Sequence, residues 1–387
     1  MISRHAKDTL LRYAQQFPVI GITGPRQSGK TTLARHAFPD KRYVSFDDSG
    51  IRDLAESNPK DFIEALHAGA IIDEAQKVPE IFDALKLYID NSEWVPGKFI
   101  LTGSSQFHLK KNMSDSLAGR ASFFSLLPFS LQELNEDGAL PEKPYELIFK
   151  GEYPPLYDPA KHFAPYDWFE AYIDTYVERD VKDLIKADNL STFKKFIQIC
   201  ALQSGQLLSM ESIATATGVS SPTIKAWLSI LEASYIIHFL TPDTNNLGRS
   251  VVKTPKLYFV DTGLLCHLLR LDTVEELMLS PFKGAVVETF AVSELMKQRM
   301  NRGIKPNLTF YRDSHGFEVD VIADWKHTMA IEIKSYNAPE NKLSANTRKY
   351  LELRGEPEAK ASVYYLGDLT LTVNNTKYVG WKDWGKE

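Results

Sequence analysis

The stretch FPVIGITGPRQSGKTTLA, Phe17–Ala34, decides how the N-terminal part of the chain is read. A short apolar run that stops at glycine has the pattern of a buried parallel strand feeding a loop. The octet Gly24–Thr31 then fits G-x-x-x-x-G-K-[ST] throughout. It stands between that predicted strand and a predicted helix from about Gly29, the context the motif requires. Its glycines let backbone N–H groups turn inward around phosphates, and the helix N-terminus adds a favourable dipole. The expected phosphate-binding set is Gly24, Pro25, Arg26, Gln27, Ser28, Gly29, Lys30, Thr31 and Thr32. Lys30 would bridge the β- and γ-phosphates and Thr31 would place its hydroxyl on Mg²⁺, which predicts ATP and Mg²⁺ as ligands.

Outward from this loop, strands are predicted at Tyr43–Asp48, up to Asp73 and up to about Thr102, with a fifth near Ala121–Leu127. Helices are predicted over Ile2–Gln16, Pro59–His67 and Val78–Asn91. Such alternation implies an α/β fold, a parallel sheet covered by helices on both faces. The segment Ile71-Ile-Asp-Glu74 places two acids at a strand end. Downstream of a complete P-loop, Asp73 would hold the Mg²⁺ shell and Glu74 would orient or deprotonate the attacking water. Thr102 or Ser104, ending the next strand, would contact the γ-phosphate or the water; a plain polar turn is the alternative. Arg120, in Ser116-Leu-Ala-Gly-Arg120, reads either as an arginine finger, often supplied by a neighbouring subunit of a homo-oligomer, or as a surface arginine.

The 387 residues exceed one ordinary core. Composition shifts at Glu136–Pro144 and the proline-rich Gly151–Pro165 suggest boundaries. Three parts are expected: 1–140, 141–275 and 276–387. In the second, helices from Tyr166 to about Ile185 and at 191–234 precede two strands, SYIIHFL and PKLYFV. Three helices followed by a hairpin is the order of a winged helix. Ser220 or Ser221 would cap its recognition helix, with Pro222 in the first turn. Lys225 is that helix's sole basic residue, with Lys194, Lys195, Arg249 and Lys253 as further contributors; DNA binding and a lid on the nucleotide domain both remain open. The third part reads as a helix, Phe282–Asn301, then strands LTFYR, EVDVIAD, MAIEIKS and SVYYLG.

A net charge of −5 gives no global positive field for nucleic acid or anionic lipid. Cys200 and Cys266 are too few and too far apart for a disulfide framework or a cysteine zinc site. No signal-peptide pattern or spanning apolar run is seen, so the cytoplasm is expected and a membrane partner is not.

GPRQSGKTTLA, IIDEAQKVP, ILTGSS and SLAGR are similar to segments of a prokaryotic AAA-family ATPase group whose members carry a C-terminal domain of unknown function 4143. The resemblance runs on through GEYPPL, TYVERDV, VSSPTIKAWLSILEASYII and KTPKLYFVDTGLL. It implies an AAA-type ATPase core, then a winged helix, in a switch-like or assembly-linked ATPase. On that basis Arg179 would be either a γ-phosphate sensor or, the simpler reading, an ion-pair partner of Glu178 or Asp180.

In the last part, Glu288 on a helix, Asp320 on one strand and Glu332-x-Lys334 on the next resemble a PD-(D/E)xK, restriction-endonuclease-like core. Alternate residues of a strand share a face, so Glu332 can hold Mg²⁺ while Lys334 activates water or steadies a phosphate. Asp320 would bridge from the adjacent strand, with Glu318 on its face. A solvated charged strand is the competing reading. The function expected is Mg²⁺-dependent ATP hydrolysis linked to nucleic acid, DNA being the partner; a nucleotide-driven interaction switch is the alternative, and a small-molecule kinase is disfavoured for want of a second substrate site.

Overall fold

The computed structural model describes residues 2–103, 116–177, 181, 185, 190–244, 251–338, 344–356 and 358–386. The first part runs α1 (Ala6–Ala14), β1 (Val19–Thr23), α2 (Lys30–Ala37), β2 (Arg42–Ser45), α3 (Ser49–Ser57), α4 (Pro59–Ala65), β3 (Ala70–Asp73), α5 (Glu80–Asn91), β4 (Phe99–Thr102) and β5 (Ala121–Ser125). The five strands form one sheet in the order β2-β3-β4-β1-β5, every pair parallel. Alternation sends Val19, Ile72, Phe99 and Leu101 to one face, against α3, α4 and α5, and Ile20, Ile22, Ile71 and Ile100 to the other, against α1 and α2. Burial on both faces explains why the strands read as unbroken apolar runs. Helix α3 was not anticipated: Asp48, expected to end a strand, instead caps it by accepting from Ile51 N at 3.1 Å.

The rest of the chain runs α6 (Leu131–Glu136), α7 (Pro144–Lys150), α8 (Pro165–Tyr176), α9 (Leu190–Leu202), β6 (Gln206–Leu207), α10 (Met210–Thr217), α11 (Ser221–Ala233), β7 (Ile237–Pro242), β8 (Lys256–Phe259), α12 (Thr262–Leu268), α13 (Val274–Leu279) and α14 (Lys283–Asn301). It ends with β9 (Leu308–Arg312), β10 (Glu318–Asp324), β11 (Thr328–Lys334), α15 (Ala345–Arg354), β12 (Lys360–Tyr365), β13 (Leu371–Val373) and β14 (Thr376–Gly380). A nine-stranded sheet, β13-β14-β12-β11-β10-β9-β7-β8-β6, crosses the division expected near 275, because β7 pairs with β9 (Thr241 with Thr309). Beyond Tyr176 the described residues Val177 and Val181 are π-helical and Ile185 N donates to the Val181 carbonyl at 3.1 Å; the remaining residues up to the expected end at Ile185 lie outside the described ones.

One large apolar core joins α6–α14 to the second sheet. At its centre Lys297, fully buried, pairs with Glu152 and, at 2.9 Å, with Glu294. Glu294 also accepts Leu131 N at 2.7 Å, and Asp261 accepts Glu152 N at 2.8 Å. Burial raises the Glu152 carboxyl well above its ordinary range and the nearby Glu294 adds to this, while the Lys297 charge opposes it. Charges so deep persist only when paired, so this cluster fixes how α14, the Gly151 turn and α6 meet.

Candidate functional site

At the C-terminal edge of the five-stranded sheet, β4 lies between β3 and β1. That order brings the ends of all three strands to the P-loop, the edge where open α/β sheets bind ligands. The loop is sterically tight. A Cβ on Gly24, φ 144°, would lie 2.1 Å from the Leu126 carbonyl oxygen, and Gly29 at φ 92° opens α2. Gln27 also has positive φ, 60°. Lys30, 7% exposed, donates to the carbonyls of Gly24 at 3.0 Å and Pro25 at 2.7 Å, which keeps its ammonium inside the loop. The buried Ser28 hydroxyl has no hydrogen-bond partner among the described residues.

Asp73 is held by three hydroxyls. Thr31 donates to Oδ1 at 2.8 Å, Thr102 donates to the same oxygen, and Tyr43 donates to Oδ2 at 2.8 Å. Burial, then the Asp73 bond, pushes the Tyr43 hydroxyl up to about 12. Glu74 follows in a left-handed conformation, φ 54°, with its carboxylate accepting from Gln76 Nε2. Non-glycine residues in that region cost of order 1–3 kcal/mol and cluster at functional sites. The Gly24 cradle, the partnerless Ser28 hydroxyl and the hard-oxygen pair Thr31/Asp73 fit a nucleotide phosphate and Mg²⁺. Among the described residues no group of three or more His, Cys, Asp or Glu is set out to hold a metal ion.

Arg120 lies elsewhere. Its carbonyl accepts from Val19 N at the start of β1, so it occupies the sheet edge opposite its own P-loop. Its guanidinium takes both carboxylate oxygens of Asp90, at 2.6 and 2.9 Å. Ser104, Glu178, Arg179, Asp180 and Arg249 fall outside the described residues.

Two contacts at the loop had no sequence signal. Arg4, from the polar N-terminal segment, donates to the Ser28 carbonyl at 2.8 Å and pairs with Glu133 at 3.1 Å. Tyr235, in the turn after α11 with φ 59°, bonds Thr23 Oγ1 at 2.8 Å and Ser125 Oγ at 2.5 Å, just below Gly24.

A second polar cluster lies on the nine-stranded sheet. Strands β10 and β11 pair antiparallel with Val321 opposite Ile331, which sets Asp320 opposite Glu332. Register with β9 shifts between Val319 and Ile322, the stretch that holds Asp320 and Val321. Asp320 Oδ2 accepts from Ile333 N at 2.8 Å, and Lys334 pairs with Glu332 at 2.6 Å. Burial, with Glu288 and then Glu332 adding repulsion, raises Asp320 well above the carboxylate range. Burial raises Glu332 as well, against the pull of Lys334. Glu288 from α14 is engaged by residues that sequence reading missed: Lys256 at 2.9 Å and the Tyr258 hydroxyl at 2.5 Å, both on β8. Lys256 also reaches Glu318 at 2.6 Å.

In α11 the N-cap is Ser220, accepting from Thr223 N. Lys225 is exposed, whereas Lys194 is tied to Asp174 at 2.6 Å. No described helix is long and apolar enough to cross a membrane.

Residues 16–135 match an AAA domain, 141–275 a domain of unknown function (DUF8612) and 283–384 another (DUF4143). Uncharacterized proteins of Mycobacterium tuberculosis and Mycobacterium bovis are each 30% identical to the chain over 339 residues, 87% of this chain and 74% of theirs. An uncharacterized protein of Methanocaldococcus jannaschii is 23% identical over 401 residues, covering 95% of this chain and 82% of its own. Among solved structures, the Walker-type ATPase of Pyrococcus abyssi aligns with a TM-score of 0.48 at 16% identity, over 69% of this chain and 96% of that one.

Proposed function

The chain belongs to one family with its mycobacterial relatives, and its residues 16–135 match an AAA domain; we propose on that ground that it binds ATP with Mg²⁺ and hydrolyses it at Gly24–Thr32. The observation that carries this reading is the shared hydrogen-bonded cluster of Thr31, Asp73 and Thr102 beside the loop. Backbone N–H groups and Lys30 would hold the phosphates, and Thr31 with Asp73 would hold Mg²⁺, which neutralises charge developing on the phosphoryl group. Glu74 takes the proton of the attacking water, whose oxygen bonds the γ-phosphorus as the bridge to the β-phosphate breaks, giving ADP and phosphate. Arg120 faces away from its own site and holds both oxygens of Asp90, which supports a surface ion pair or a role at a neighbouring subunit's site over a role in its own.

The further reading is that hydrolysis is linked to nucleic acid. The order α9, β6, α10, α11, β7, β8, with β6, β8 and β7 antiparallel, supports a winged helix. The juxtaposition of Asp320, Glu332 and Lys334 supports a nuclease-like site. Against it stand the single lysine on the exposed face of α11 and the building of β7 into the large sheet, which favour the alternative, an interaction switch. Phosphate release from ATP, measured with and without added DNA in wild type and Lys30→Ala, tests both levels. Wild type is expected to turn over and to be stimulated by DNA, and Lys30→Ala to lose ATP binding. Turnover without any DNA effect would leave the ATPase standing and favour the switch; no turnover in either protein would remove both.

A further inference from the structure

The acidic cluster of the large sheet is held together by a cation from another segment. Lys256 opens β8, is 3% exposed, and bridges Glu288 Oε1 and Glu318 Oε1. Arg312 takes the other oxygen of Glu318 at 3.2 Å, and Tyr258 shares Glu288 Oε1 with the lysine. Glu288 and Glu318 are therefore both engaged by fixed groups. Glu332 differs: Lys334 occupies its Oε1, while Oε2 is buried without a hydrogen-bond partner among the described residues, in a side chain belonging to a residue 7% exposed. Asp320 stands opposite it across the β10–β11 ladder.

Sites that cleave phosphodiesters with two metals place the ions roughly 3.5–4 Å apart, between shared carboxylates. An ammonium is a compact point charge, so a lysine buried between two carboxylates neutralises them as an ion would. Removing it would leave Glu288 with the Tyr258 hydroxyl and Glu318 with Arg312, and take away the charge that joins the two acids. We infer that Lys256 stands in place of one of two metals, so that this site takes a single divalent cation, on Asp320 and Glu332 Oε2. Such a pair suits a hard cation that keeps most of its waters and is completed by substrate phosphate. The residue that sets the cation count thus comes from β8, within the region 141–275. The inference rests on the nuclease reading for the use of the cation, but not for its number.

The test is a Mn²⁺ titration of the full chain without nucleotide, with free Mn²⁺ followed by electron paramagnetic resonance. Wild type is expected to bind one Mn²⁺ per chain and Asp320→Ala to bind at least tenfold more weakly. Lys256→Met is expected to bind two, and Lys256→Arg to stay at one. Two ions in wild type, or none, would overturn the inference, and this count decides even if Lys256→Met does not fold. A folded Lys256→Met protein still limited to one would overturn it too. Cleavage of single- and double-stranded substrates is scored separately: one ion, lost in Asp320→Ala, with no cutting would remove the nuclease reading and keep the cation assignment. Cutting with two bound ions would do the reverse.

Discussion

The P-loop site and the large-sheet cluster hold their carboxylates by opposite means. At the first, one acid, Asp73, is oriented by the neutral hydroxyls of Thr31, Thr102 and Tyr43. At the second, four acids crowd together and are kept so by Lys256, Lys334 and Arg312. Neutral donors fix an acid's direction while leaving its charge for a cation. Lysines consume that charge, so a site built with them takes fewer metal ions. The first arrangement suits a nucleotide carrying its own Mg²⁺, the second a weakly bound ion completed by substrate.

The sharpest way to break this contrast lies in the core, at the lysine that carries the rule to its limit. Lys297→Met leaves Glu152, Glu294 and Asp261 without their cation, and is expected to cost about 3–5 kcal/mol. Urea unfolding would read this as a large drop in midpoint. A loss under about 1 kcal/mol would mean that buried acids here tolerate losing their lysine, and the Lys256 argument would weaken with it.

A smaller effect sharpens the other side. Thr102→Val keeps the shape of the β4 end and removes one of the two donors to Asp73 Oδ1. Hydrogen bonds to charged groups contribute about 1.5–3 kcal/mol, so ATP turnover should fall roughly 10- to 100-fold. ATP affinity should change less. Unchanged turnover would show that Thr31 and Tyr43 suffice to orient the acid.

The two sites were unequally legible in the amino-acid sequence. The P-loop, Asp73, Glu74 and Thr102 all follow short apolar strands, and a parallel sheet brings such strand ends to one edge without further information. Asp320, Glu332 and Lys334 could be picked out by the strand period, and Glu288 by its place on the helix before those strands. Their partner Lys256 could not, because KLYF reads as one apolar strand with a lysine at its end, and its meeting with Glu318 depends on pairing Thr241 of β7 with Thr309 of β9, far apart in the sequence. Arg4 and Tyr235 were hidden for the same reason. Each is one polar group in an ordinary helix or turn, made specific only by what packs against it.

Glu74, in a left-handed conformation just after β3, is proposed to activate water for attack on ATP held by Lys30 and Thr31. Steady-state phosphate release and ATP affinity, measured side by side in wild type and Glu74→Gln with saturating Mg²⁺, address it most directly. Loss of a general base is expected to slow turnover by about 10²-fold or more while ATP stays bound with near wild-type affinity. Turnover by Glu74→Gln at the wild-type rate would contradict the account.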